Sequence, residues 1–122
     1  MIKSYRSINI FVSHPFVPKN PDFDLEKFRT NIKLMVSEAE NQVRKEYNDF
    51  EIDTIFEFSD FQDGLPKQIY NSIKKSHFAI VDITENKANI FFEYGLMRGL
   101  NVPTLLIKTN KSFSDFDIPA DI

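Results

Sequence analysis

The chain has no cysteine and no tryptophan, and only three glycines among its 122 residues. Without cysteine there is no disulfide, no thiolate nucleophile and no cysteine-ligated zinc. Glycine at positions 64, 95 and 99 alone satisfies neither G-x-G-x-x-G nor G-x-x-x-x-G-K-[ST]. That argues against a redox dinucleotide fold and against a P-loop NTPase. Any nucleotide has to be held by other means. No stretch approaches the roughly eighteen apolar residues of a membrane span. The N-terminal MIKSYRSINIFVSHPF has a short apolar run that contains Asn and ends in Ser-His-Pro, so it reads as a strand and not as a signal peptide. An excess of basic charge is also lacking. Fifteen Lys and Arg against eighteen Asp and Glu give a net charge of -3, whereas nucleic-acid binding normally shows as a basic patch or stripe. His14 and His77 make no metal-ligand spacing with each other or with nearby acids, so no metal is expected. A cytoplasmic protein that engages neither nucleic acid nor membrane is the expectation.

What is present is a large aromatic share, with thirteen Phe, in a chain long enough for one domain with one core. Ser7–Ser13 (SINIFVS) is rich in β-branched and aromatic residues and is closed by His14-Pro15, which predicts a first strand. A proline-containing loop, Phe16–Pro21, leads to Asp22 and Asp24, either of which can cap a helix. From there Leu25, Phe28, Ile32, Met35, Val36, Ala39, Val43 and Tyr47 recur at three- and four-residue spacings. This predicts one long amphipathic helix with a mixed-charge outer face. Glu51–Phe58 alternates polar and apolar residues, as a half-exposed edge strand does.

The turn Ser59–Gly64 precedes a shorter helix with Leu65, Ile69 and Ile73 inward, Pro66 near its start and Lys74 and Lys75 near its end. Phe78–Ile83 and Thr104–Ile107 are nearly continuous apolar runs, which suit parallel strands covered on both faces. A helix over about Asn89–Leu100 lies between them. Strands and helices alternate, predicting a parallel sheet with right-handed crossovers. With an edge-like second strand, the expected fold is α/β, a flavodoxin-like three-layer sandwich of strand order 2-1-3-4. Thr109–Ile122 (TNKSFSDFDIPADI) shows no clear fifth strand. Residues 1–122 are therefore expected to be a single domain excised from a longer chain, the fifth strand missing.

Chemistry concentrates at the carboxyl edge of that sheet. Glu93 follows Asn89, the expected N-cap, by about one turn, and is flanked by Ile90, Phe91, Phe92, Tyr94, Leu96 and Met97. A helix N-terminus favours its ionised form and an apolar cleft favours its neutral form. Either it acts on a ligand or it complements the helix dipole. Ser13, His14 and Phe16 offer a hydroxyl, an imidazole and an aromatic face after the first strand, or else form a plain proline turn. Asp82 can orient a ribose hydroxyl or cap the loop that follows it. Gly95 and Gly99 form a G-x-x-x-G whose cost in helix propensity points to close approach, of helix to sheet or of ligand to helix.

Taken together, FVSHPF, HFAIVDIT, NIFFEYGLMRG and NVPTLLIK resemble the superfamily that joins nucleoside 2-deoxyribosyltransferases to TIR-like domains of bacterial proteins. The likeness spans about Ile8 to Lys108. It implies a flavodoxin-like fold, Glu93 as the catalytic acid, and a nucleotide pocket lined by Ser13, His14 and Phe16, with Asp82 and Asn89 beside it. TIR-like members hydrolyse NAD, often as antiviral defence effectors that act after self-association or after another domain senses a nucleotide. The resemblance thus implies a homo-oligomer or a C-terminal sensor domain as partner, with NAD as substrate and no cofactor. Thr84–Asn89 lacks the glycines that deoxyribosyltransferases usually carry before the Glu, which counts against transfer.

Bond chemistry agrees with NAD. Breaking an N-glycosidic bond builds positive charge on the sugar, which one carboxylate stabilises or traps. Nicotinamide departs from a pyridinium as a neutral molecule and needs no proton donor, unlike a purine or pyrimidine. The expected activity is an NAD nucleosidase. A non-catalytic nucleotide-sensing or assembly module, using the same pocket or the Phe56–Gly64 turn, and a deoxyribosyltransferase are the alternatives.

Overall fold

The computed structural model describes residues 4–14, 23–47, 50–59, 66–85 and 87–108. In order along the chain they form β1 (Ser4–Ser13), α1 (Leu25–Glu46), β2 (Phe50–Phe58), α2 (Pro66–Lys74), β3 (Phe78–Asp82), α3 (Ala88–Gly99) and β4 (Thr104–Ile107). The four strands make one parallel sheet in the order β2-β1-β3-β4, a flavodoxin-like arrangement. Phe16, residues 60–65 and the tail Thr109–Ile122, in which no clear fifth strand is expected, lie outside the described residues. Among the described residues no helix is long and apolar enough to cross a membrane.

Two compact units divide the chain, Met1–Ser7 with Asn20–Thr54, and Ile8–Lys19 with Ile55–Ile122. In the first, Asp24 caps α1, its carboxylate accepting from the Lys27 amide at 3.1 Å. Arg44 and Lys45 sit in the last turn, where their charge suits the helix dipole. The expected apolar stripe is only partly covered. Ile32 is buried and Leu25, Phe28 and Val36 are half-buried, whereas Met35, Ala39, Val43 and Tyr47 are exposed. Periodicity tells which residues share a face, but burial needs a partner along its whole length.

In the second unit, Phe11, Ala79 and Val81 of the sheet pack with Ile69 and Ile73 of α2 and with Ile90 and Met97 of α3. Ile10, Val12 and Ile80, alternate residues facing the other way, are buried as well. The middle of the sheet is therefore shielded on both faces, as its continuous apolar strands require. β4 departs from that expectation. It lies at the edge of the described sheet, and Leu105 is 42% exposed.

α3 ends in a left-handed cap. Asn101 has φ 57°, its amide donates to the Arg98 carbonyl and the Val102 amide donates to the Met97 carbonyl. This is a Schellman motif, with Val102 and Met97 joined in the core and Pro103 barring continuation. Among the described residues the glycines of α3 serve no close approach of helix to sheet. Both are exposed, and a Cβ added at either would meet nothing within 4 Å among the described residues.

Candidate active site

The chain leaves β1 for β2 on one side and then crosses to β3 on the other, so β1 and β3 flank the point where strand order reverses. Open α/β sheets bind ligands in the crevice beyond the carboxyl ends of such strands. Ser13 pairs with Val81 in the parallel register. His14 and Asp82 therefore come next, side by side at that edge.

Ser13 and Val81 face α3. There the Ser13 hydroxyl donates to Glu93 Oε1 at 2.6 Å, a bond joining the end of β1 to the second turn of the helix. Asn89 comes to the same place by another route. The helix starts one residue earlier than expected, with Lys87 at the cap position and no side-chain cap. Asn89 is therefore not the cap, and its amide group donates instead to the His14 carbonyl at 3.1 Å. Ser13, His14, Asn89 and Glu93 are thus brought together by two hydrogen bonds between β1 and α3.

Glu93 is fully enclosed, with 0% exposure, and among the described residues its Oε2 has no hydrogen-bond partner. An ionised carboxylate so placed would forfeit its hydration with only neutral hydroxyls to offset the loss, a cost of several kcal/mol. Burial accordingly raises its pKa from 4.5 to about 7, against smaller opposing effects of the Ser13 and Ser59 hydroxyls. Of the two influences read in the sequence, desolvation wins. The acid sits beyond the first turn, so it does not complement the helix dipole there.

Asp82 is 2% exposed, but its Oδ1 is engaged by Thr84, whose amide donates at 2.9 Å and whose hydroxyl donates at 2.5 Å. It caps the loop after β3, the commoner of the two roles considered for it. Burial raises its pKa; the Thr84 bonds oppose that rise, nearby Glu85 adds to it, and His14 opposes it. No hydrogen bond joins Asp82 to Glu93 among the described residues. His14 is 4% exposed.

No family model, curated protein or solved structure matches this chain. The resemblance to TIR-like and deoxyribosyltransferase proteins accordingly rests on the motif residues alone, and function has to be argued from the site.

Two residues beyond the motif belong to this edge. Ser59, fully buried at the end of β2, donates its amide to the Val12 carbonyl at 2.9 Å, and its hydroxyl oxygen accepts from the His14 amide at 3.0 Å. It follows an alternating strand, and nothing in its own stretch of sequence signals that it is buried. Glu85 is an acid 3% exposed in the β3–α3 loop, and nothing in its polar sequence neighbourhood signals burial. Among the described residues no group of three or more His, Cys, Asp or Glu side chains converges on a metal position.

Proposed function

We propose that this chain cleaves the N-glycosidic bond of NAD or a related nucleotide, with Glu93 acting on the ribose. The observation that carries the proposal is the Ser13–Glu93 hydrogen bond at the carboxyl ends of β1 and β3, with the second carboxyl oxygen unpartnered among the described residues. It supports a carboxyl aimed by a hydroxyl at the place where this topology takes ligands, with one oxygen free for a reacting centre. In the reaction the C1′–N bond breaks and its electron pair stays on nicotinamide, which leaves neutral. The ribosyl cation is stabilised by ionised Glu93 or captured by it as an ester. Water then adds at C1′, breaking the C1′–O bond and returning its electron pair to the Glu93 carboxylate where the ester has formed, and gives its proton to solvent. The acid's elevated pKa suits a group that switches between neutral and ionised forms near neutral pH.

The same reading places the activity in the cytoplasm, in a TIR-like domain of the kind found in defence effectors, with a second copy or a sensor domain as its trigger. It also requires that substrate binding part the groups enclosing Glu93. That enclosure is the observation favouring the second reading, a nucleotide-sensing module without turnover. Incubation with NAD, scored for nicotinamide and ADP-ribose, alongside calorimetry with NAD and nucleoside monophosphates, separates the two. Product formation supports the enzyme, and binding without product supports the sensor. A deoxynucleoside supplied with a free acceptor base exposes transfer, if that is the activity.

A further inference from the structure

The two side-chain bonds that join β1 to α3 are stacked in a definite order. Asn89 and Glu93 lie one turn apart on the same face of the helix. Opposite them stand the successive residues His14 and Ser13 at the end of β1. Ser13–Glu93, at 2.6 Å, is buried, whereas Asn89–His14, at 3.1 Å, is only partly so. α3 begins at the carboxyl edge of the sheet, just after β3 ends, and β1 reaches the same edge at His14. Asn89 is nearer that edge than Glu93 along the helix, and His14 is nearer it than Ser13 along the strand. A ligand entering from the crevice beyond the strands therefore meets the Asn89–His14 bond before it meets the acid. Behind that bond Glu93 is 0% exposed, its Oε2 unpartnered among the described residues.

From this order we infer that Asn89 is the gate of the Glu93 site, closed while its amide group holds the His14 carbonyl and open when that side chain turns away to let a ribose reach the acid. The inference rests on the catalytic reading of Glu93. It changes the part of Asn89 from a contact of the substrate to a barrier in front of the acid. The bond suits that work, since it joins two neutral groups and Asn89 is half-buried, so water can take up the amide as it swings out. The frame around it is fixed. Ile90 and Met97 anchor α3 in the core, the Ser59 amide holds the Val12 carbonyl, and the Ser59 hydroxyl oxygen accepts from the His14 amide. Only one side chain has to move. The helix start does not depend on it, because the cap position falls to Lys87.

The first test needs no substrate. The full chain is treated at about pH 6 with a water-soluble carbodiimide and an amine, and labelling of Glu93 is followed over time by peptide mass spectrometry. Asn89→Ala should label about fivefold faster than the unmutated protein, the worth of one neutral hydrogen bond. Asn89→Gln, which keeps the donor amide on a longer arm, should recover most of the slow rate. If Asn89→Ala does not fold, Asn89→Ser, whose hydroxyl is too short to span the gap, takes its place with the same expectation. Turning one side chain exposes little surface, so the faster labelling should be insensitive to low urea, unlike labelling through global unfolding. Equal rates in Asn89→Ala and the unmutated protein, or an excess that grows with urea from the start, overturn the inference. Calorimetry with NAD then separates a gate from a contact. A gate opened in advance should tighten binding by about the same fivefold, whereas loss of a substrate contact weakens it, and weaker binding also overturns the inference. If neither protein binds NAD, the nucleotide reading fails and the labelling rates alone decide the gate.

Discussion

Replacing Glu93 by Gln should make this protein more stable at alkaline pH. An unfolded glutamate ionises near 4.5, whereas the enclosed Glu93 carboxyl holds its proton up to about 7. Between those values the folded chain binds more protons than the unfolded one, so stability drains away as pH rises. The contribution is fully present below about pH 4.5 and is gone above about pH 7. At about 1.4 kcal/mol for each pH unit between the two midpoints, the loss amounts to roughly 3 kcal/mol. Gln keeps an acceptor for the Ser13 hydroxyl and has no charge to bury. The two proteins should therefore unfold alike in urea at pH 4.5, within about 1 kcal/mol, and diverge by roughly 3 kcal/mol at pH 8. Asp82, whose pKa burial also raises, adds slope to both proteins and cancels in the difference. Urea unfolding followed by circular dichroism across this range is the assay. A difference between the proteins that does not change with pH would refute the reasoning, because Glu93 would then ionise in the fold as it does in water.

Other outcomes follow from the elements around the site. Gly95→Ala should raise stability by about 1 kcal/mol, since the residue is helical and exposed and an added Cβ meets nothing within 4 Å; a lower melting temperature would contradict the open space assigned to it. Asn101→Gly should be neutral or stabilising, while Asn101→Val should cost roughly 1–2 kcal/mol, because φ 57° suits glycine and strains a β-branched residue. Equal melting temperatures for these two variants would count against the left-handed cap. Asp24→Ala should cost about 1 kcal/mol in urea unfolding through the lost bond to the Lys27 amide, and no change would remove Asp24 as the cap of α1.

Much of this was legible in the sequence because local pattern and topology agree here. The alternating Glu51–Phe58 segment pointed to an edge strand, and β2 is one, with the strand order that follows from it. Asp24 read as a cap, and it is. Asn89 misled because it has a capping side chain at a helix start, yet its amide group finds the His14 carbonyl across the sheet edge, a partner 75 residues away. Gly95 and Gly99 misled in a similar way: glycine in a helix has a cost, but the cost alone does not reveal a neighbour. The α1 stripe and Leu105 show that an apolar pattern states what a face could bury and not what covers it. Ser59 and the full enclosure of Glu93 depend on three chain segments meeting, and no single window of sequence contains them.

The claim on which the rest depends is that ionised Glu93 promotes loss of nicotinamide from NAD. Its most direct test is the rate of nicotinamide release by the unmutated chain and by Glu93→Gln, measured from pH 5 to pH 9 with the fold of each confirmed. The expected result is a rate that climbs through about pH 7 to a plateau in the unmutated protein, and at least a hundredfold lower, nearly pH-independent rate in the variant. Equal rates in the two proteins, or no nicotinamide from either while both bind NAD, would contradict it.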